Sequence, residues 1–324
     1  MVATRRAKRA ASSASKRTGY VFCLLLAAQY GLQPFLKVFI ADGVNKVSLV
    51  LGTELAKVLI GVVAMLLDGS LASNFAGWNP RGAAFAVIPS LIYAAQNYLL
   101  MFGYQSMDSI TFNCLNQSKL VSTALCLYLL FGTKQSVVQM VALAGLLVAG
   151  VMLQDGGGDG GSSSKGTSSS DAKLAVGVAA VIAASALSGV ASAACQYAMQ
   201  RIGTPAPIFT LEMAFVAIPA LLVSQAGLIA EDPAVLFRGW DARTLIPVFA
   251  SAFGGMCVGQ VTKNLGGIAK GFAIVGGLVL TGLAQGVQEG RWLETRTLVA
   301  LVLVVSCVWA HNTHPPAKPK SKRQ

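Results

Sequence analysis

The segment SMDSITFNCLNQSKLVSTALCLYLL, Ser106 to Leu130, decides how the rest of the chain is read. It has the length and apolar content of a membrane-crossing helix, yet its first half carries Asn113, Asn116, Gln117 and Lys119. At about 100° per residue these four side chains fall within about 160° of one another on the helix surface. A lysine left uncompensated in hydrocarbon costs at least about 2.5–3.5 kcal/mol on insertion scales. Lys119 stands about three turns from Ser106, and the helix end at Phe131-Gly132 is too far for its ammonium to reach. A polar stripe ending in a cation is therefore expected to line a wet cavity or an anion site.

The whole chain fits that setting. Its 324 residues are 54% hydrophobic and 12% charged, against about 25% charged in soluble domains, and the mean hydropathy is +0.63. Ten apolar stretches have the length of bilayer spans: 19–40, 46–67, 82–104, 108–131, 136–153, 174–199, 207–229, 243–263, 267–286 and 296–311. Little chain remains for a soluble catalytic domain. The expected class is an all-α polytopic membrane protein with ten transmembrane helices.

The net charge of +12 gathers at the ends, in Arg5, Arg6, Lys8, Arg9, Lys16 and Arg17 and in Lys318, Lys320, Lys322 and Arg323. By the positive-inside rule both termini are cytosolic, which an even number of spans requires. Residues 1–18 and 312–324 are read as basic cytosolic tails, with the lipid bilayer and no nucleic acid as their partner. The acid-poor, Arg- and Ser-rich start also fits an organelle transit peptide. Lys320-Ser321-Lys322-Arg323-Gln324 resembles the K-x-K-x-x signal that returns membrane proteins to the endoplasmic reticulum. The six cysteines lie in apolar runs without paired spacing, so no disulfide framework, metal site or cofactor is implied.

One internal offset recurs. Ile88-Pro89 matches Ile246-Pro247 (247 − 89 = 158), and at the same shift Glu54 matches Glu212, Gly31 matches Gly189 and Val141-Ala142-Leu143 matches Val299-Ala300-Leu301. The Gly/Ser-rich stretch 154–173 reads as a linker. It separates a first five-helix repeat, 19–153, from a second, 174–311. Five is odd, so the second half enters the membrane from the opposite side. The two are inverted repeats, an arrangement common in secondary transporters.

Further polar positions follow the chain. Gln29, Gln33 and Lys37 share one face of the first span, beside a kink-prone Pro34. Glu54 and Lys57, three residues apart, are a buried packing pair or a gating and coupling element. Tyr93, Gln96, Asn97 and Tyr104 lie within about 100° of helix surface. Rings beside amides are what a nucleobase and ribose require. Ser185, Ser188 and Ser192 read as close helix packing, and Gln196 on the same stripe is a ligand candidate. Glu212 is the repeat partner of Glu54. Lys263 and Lys270 either flank the membrane or meet an anion, and Lys270 opens a Gly-rich helix. A second cation opposite Lys119 across the repeat would suit a diphosphate. No Walker loop is present, and the two histidines, His311 and His314, support neither catalysis nor a metal cluster.

At Thr53-Glu54 with Lys57, Pro89-Ser90-Leu91, Tyr93-Ala94, Gln96-Asn97, Asp108, Gln117 to Lys119 and Lys270-Gly271-Phe272, the sequence resembles the nucleotide-sugar transporters of the drug/metabolite transporter superfamily. The likeness runs from about residue 20 to 310. It implies exchange of a cytosolic nucleotide sugar for a lumenal nucleoside monophosphate in the endoplasmic reticulum or Golgi membrane. It also implies that Lys119 and Lys270 meet phosphate, and no enzymatic step. Ser109 to Lys119 and Cys195-Gln196-Tyr197 look most like the plant endoplasmic-reticulum branch that carries UDP-N-acetylglucosamine and UDP-N-acetylgalactosamine. CMP-sialic acid or UDP-galactose carriage, or plastid sugar-phosphate translocation, is the alternative. A homodimer is compatible with the sequence.

Overall fold

The computed structural model describes residues 2–41, 43–106, 112, 115–132, 134–154, 169–288 and 295–314. Among these residues the regular structure is entirely helical. The helices are α1 (Val2–Leu36), α2 (Lys46–Leu67), α3 (Leu71–Ala76), α4 (Pro80–Ser106), α5 (Lys119–Phe131), α6 (Val137–Gln154), α7 (Ser169–Tyr197), α8 (Ala206–Ser224), α9 (Ala226–Glu231), α10 (Leu245–Leu265), α11 (Gly267–Gln288) and α12 (Thr295–Thr313). Six segments among the described residues are long and apolar enough to cross a membrane: Ser13–Phe39, Lys46–Leu67, Leu174–Ile202, Ala206–Ser224, Ala242–Leu265 and Gly267–Gln288. Val137–Met152 and Leu298–Thr313 are shorter apolar helices.

Local chemistry sets the ends. Asn45 caps α2, its side-chain oxygen accepting from the Val47 N–H at 2.8 Å. Pro34 stands two residues before the end of α1, whose chain continues as a 3₁₀ turn over Lys37–Phe39. Its ring lacks an N–H and crowds the carbonyl four residues back, so a regular helix weakens there. Gly132 closes α5 in the left-handed region at φ 64°, at the Phe131-Gly132 end the sequence marks. Before α5, the described residues 112 and 115–117 are also helical. A single turn residue, Ser118, whose N–H donates to the Leu115 carbonyl at 3.0 Å, interrupts the helix expected there before it resumes at Lys119.

Apolar side chains largely face outward and polar ones inward. Leu24 is 73% exposed, Val38 80%, Leu67 85% and Val223 75%, while Gln29, Ser48, Gln96, Gln117, Gln139 and Thr262 are buried. A membrane produces this inversion, because lipid tails solvate leucine as well as a protein core does.

The chain resolves into two compact units. One comprises Met1–Ala95 and Ala194–Thr281. In it α2 and α8 pack antiparallel, Gly61 lying on Leu211 and Met65 clustering with Ile208 and Leu211. Between α10 and its neighbours, Leu26, Cys257, Val261 and Ala273 form one apolar cluster and Ala56, Val248 and Ala252 another. Small residues on α10 make room for polar side chains. A Cβ at Gly254 would fall 2.4 Å from Gln29 Oε1, and one at Gly255 2.6 Å from Lys57 Cε.

The other unit comprises Gln96–Ala193 and Gly282–Gln324. Here α6 and α12 run antiparallel. Ser136 Oγ donates to the His314 carbonyl at 2.7 Å, Gln139 Nε2 to the His311 carbonyl at 3.0 Å, and Gly145 lies against Cys307 and Leu303. The buried serine stripe of α7 serves packing, as its residue types suggest. Ser185 Oγ donates to the Leu115 carbonyl at 3.4 Å, and Gly189 sits on the Ser122 backbone, where a Cβ would come within 2.6 Å.

Candidate functional site

The first unit brings a cation and an aromatic hydroxyl together at the start of α11. Lys270, the fourth residue of that helix, donates from Nζ to Tyr93 Oη at 3.5 Å, and its ammonium stands 5.8 Å from the Tyr93 ring centroid. The latter distance is within cation–π range. Tyr30 of α1 packs against the apolar cluster of Leu26, Cys257, Val261 and Ala273, and Ala273 lies three residues past Lys270. The helix start beneath them is fixed by Gln196, whose Oε1 accepts from the Gly267 N–H at 2.7 Å. Gln196 Nε2 donates onward to Gln200 Oε1 at 2.9 Å, and Gln200 Nε2 donates to the Thr262 and Lys263 carbonyls, each at 3.0 Å. Both ends of the Gln196 amide are thereby engaged. Gly266, at φ 94°, makes the turn between α10 and α11 and leaves space for that amide. The half-buried Lys263 lies in the last turn of α10.

The arrangement favours an anion. A helix N-terminus carries a partial positive charge and N–H groups without intrahelical acceptors. A half-buried ammonium and a phenol hydroxyl add point charge and donors.

Glu54 and Lys57 of α2 are bound to each other, Oε1 to Nζ at 2.6 Å, with side chains 12% and 19% exposed. The Lys57 stem lies along the bare backbone of Gly255. Glu212 in α8 contrasts with them. Both its carboxylate oxygens are buried without a partner at hydrogen-bond geometry, and the Trp78 side chain lies within electrostatic reach.

In the second unit Lys119 heads α5 directly after the Ser118 turn and is half-buried, as is Asn116. Thr123 Oγ1 donates to the Lys119 carbonyl at 2.7 Å. Gln117 is 3% exposed and lies on Gly150 of α6, whose Cβ would come 2.9 Å from the amide. Gln96 is buried, and its Oε1 has no hydrogen-bond partner. Asn113 and the side chain of Asn97 lie outside the described residues, as do Asp108, residues 155–168 and the basic tail from 315. Among the described residues no group of His, Cys, Asp or Glu could hold a metal ion.

Sequence reasoning passed over three features of the first unit. Gln200 continues the Gln196 bridge, Gly254 and Gly255 seat Gln29 and Lys57, and Tyr30 packs against the apolar cluster that holds Ala273. The Gly254-Gly255 doublet within an apolar run was the available signal for close approach. A tyrosine in such a run carries no comparable mark.

A helical chain with several membrane-length segments defines a multi-pass membrane protein. The model of the nucleotide-sugar transporter family matches residues 46–312, and the chain belongs to that family. It is 40% identical over 309 residues to the UDP-N-acetylglucosamine transporter ROCK1 of Arabidopsis thaliana, covering 93% of this chain and 94% of that one. It is 28% identical over 241 residues to the UDP-N-acetylglucosamine/UDP-N-acetylgalactosamine transporter nstp-4 of Caenorhabditis elegans, covering 72% and 70%. The UDP-galactose translocator of Mus musculus is 30% identical over 233 residues, 69% of this chain and 57% of that one. A crystal structure of another protein superposes with a TM-score of 0.65 at 15% identity, over 92% of this chain and 96% of that one, a likeness of fold alone. The chain is a nucleotide-sugar transporter, and its family is one of carriers rather than enzymes.

Proposed function

We propose that the chain exchanges a cytosolic UDP-sugar, UDP-N-acetylglucosamine or UDP-N-acetylgalactosamine, for a lumenal nucleoside monophosphate by alternating access. It works in the endoplasmic reticulum or Golgi membrane with both termini cytosolic. The observation that carries the reading is the Lys270 ammonium, 3.5 Å from the Tyr93 hydroxyl at the start of a helix. Cation, phenol and helix N-terminus there offer a phosphate three kinds of favourable contact. Lys119 is a further phosphate contact, half-buried directly after the turn at Ser118. The aromatic face of Tyr93 and the amides of Gln96, Asn97, Asn113 and Asn116 supply stacking and hydrogen bonds to base and sugar. Gln117, Gln196 and Lys263 support these residues, Glu212 accepts from a sugar hydroxyl, and Glu54 with Lys57 acts in gating. The names of the plant and nematode relatives favour the N-acetylhexosamine cargo.

The alternation itself would rest on two inverted five-helix halves, with a 158-residue offset between them. Shifted by that number, α2 (46–67) falls on 204–225, where α8 occupies Ala206–Ser224. Likewise α6 (137–154) falls on 295–312, where α12 occupies Thr295–Thr313. The antiparallel course of both pairs supports the reading, since an in-plane two-fold axis reverses helix direction. Gly145 and Leu303, which touch, are themselves 158 residues apart (303 − 145).

The test is reconstitution in liposomes preloaded with UMP, CMP or GMP, followed by uptake of UDP-N-acetylglucosamine, UDP-N-acetylgalactosamine, UDP-galactose and CMP-sialic acid. UMP-dependent uptake of the first two is expected, and Lys270→Ala or Lys119→Ala should abolish it while the folded protein persists. Equal uptake into empty vesicles would refute exchange, and preference for CMP-sialic acid would refute the cargo.

A further inference from the structure

Tyr30 has no part in the site as derived from the sequence, yet the packing of α1 on α11 aims it there. The two helices run parallel within the first unit. Cys23 Sγ lies 3.9 Å from the Ala269 carbonyl, Ala27 Cβ 3.7 Å from where a Cβ at Gly276 would stand, and Thr281 Oγ1 donates to the Gly31 carbonyl at 3.0 Å. Residue numbers rise together along the contact. Tyr30 sits directly on Gly277, since a Cβ there would fall 2.5 Å from Tyr30 Cβ. Helical side chains lean toward the N-terminus of their own helix. Because the helices are parallel, that lean carries the phenol toward the start of α11, where Lys270 lies about two turns before Gly277. Tyr30 packs against the buried cluster of Leu26, Cys257, Val261 and Ala273, and Ala273 lies three residues past Lys270, whose ammonium has the Tyr93 hydroxyl as its 3.5 Å neighbour.

We propose that Tyr30 is a phosphate-binding residue of this carrier, its hydroxyl joining those of Tyr93 and the ammonium of Lys270 around one phosphate of the cargo. The proposal rests on the nucleotide-sugar reading above. A hydroxyl both accepts and donates. The Tyr93 oxygen accepts from the ammonium at 3.5 Å; toward a phosphate, the O–H groups of Tyr93 and Tyr30 would donate to its oxygens. Tyr93 thereby serves the lysine in one arrangement and the anion in the other.

The experiment compares wild type, Tyr30→Phe, Lys270→Gln and the double variant in proteoliposomes. It reads KM for UDP-N-acetylglucosamine and inhibition by UDP, UMP and uridine. Loss of one charge-assisted hydrogen bond predicts about a tenfold rise in KM for Tyr30→Phe, with UDP and UMP inhibition weakened alike and uridine inhibition unchanged. In the Lys270→Gln background, read as UDP affinity of the detergent-solubilised protein so that no transport is needed, the same change should have under about a twofold effect, because the two groups serve one phosphate. A Tyr30→Phe carrier with wild-type KM overturns the proposal, and loss of transport in Lys270→Gln would then leave the proposed function standing. Equal weakening of uridine and UDP, or an undiminished effect in the double variant, marks a merely structural tyrosine and also overturns it. Failure of the wild type to take up any sugar nucleotide overturns the underlying reading and this proposal with it.

Discussion

Helices α2 and α8 occupy equivalent positions in the 158-residue register, and each carries a glutamate there, Glu54 and Glu212. Three residues on, α2 has Lys57 and α8 has Phe215. The first carboxylate is bound to its lysine at 2.6 Å. The second has both oxygens buried with the Trp78 side chain as a polar neighbour, and Phe215 is 65% exposed on the apolar outside. On the proposed repeat, a neutralised pair in α2 thus answers to an α8 carboxylate beside Trp78. Such asymmetry is what a duplicated scaffold would need if its halves are to do different work. The two lysines proposed to meet phosphate are likewise not register partners, since position 119 shifted by 158 is Gly277.

The contrast can be broken most severely at the satisfied end. Lys57→Met should strand Glu54, and breaking a buried pair from one side costs about 3–5 kcal/mol. A thermal melt of the detergent-solubilised protein should show that loss, together with failed exchange. Glu54→Gln combined with Lys57→Met should recover most of the stability, while exchange stays impaired if the pair gates transport.

At the other end the sign reverses. Glu212→Leu removes a carboxylate whose two oxygens are buried beside the Trp78 side chain, a burden of about 1–3 kcal/mol, so the melting temperature should rise. Exchange should fall in the same variant, and Glu212→Gln should retain more of it because an acceptor oxygen remains. A rise in stability with unimpaired exchange would remove Glu212 from the site.

The smallest effect belongs outside the membrane, at Asp241. Its carboxylate accepts from the Thr244 hydroxyl at 2.6 Å and the Thr244 N–H at 2.8 Å, which holds it below the usual aspartate range. A depressed folded value stabilises above the unfolded pKa of about 3.9 and loses that contribution as pH falls through the folded value. The melting temperatures of wild type and Asp241→Asn should therefore differ slightly near pH 7 and converge below about pH 3. A gap that persists in acid would refute the link.

How much of this was readable beforehand depends on the range of the forces involved. Membrane-length segments announce themselves because hydropathy accumulates over about 20 neighbouring residues. The end of α5 was equally plain, since Gly132 supplies the left-handed residue a helix terminus favours. The turn at Ser118 was not. Asn113, Asn116, Gln117 and Lys119 keep helical spacing, and no glycine or proline interrupts them. Gln196 was recognised as functional-looking, but its bond to the Gly267 N–H spans 71 positions, so only the assembled helices reveal it. Tyr30 was hidden for the same reason: its significance lies in the bare backbone of Gly277.

That bare backbone has a mechanical corollary. Gly31 and Gly277 bring the main chains of α1 and α11 into direct contact, with a carbonyl–hydroxyl bond from Thr281 beside them. Helices joined so closely bend and tilt as a single strut. A fusion partner or a truncation applied at the amino end of α1 would then tug on the strut that carries Lys270, so tagging that terminus is an intervention on the transport cycle rather than a neutral handle.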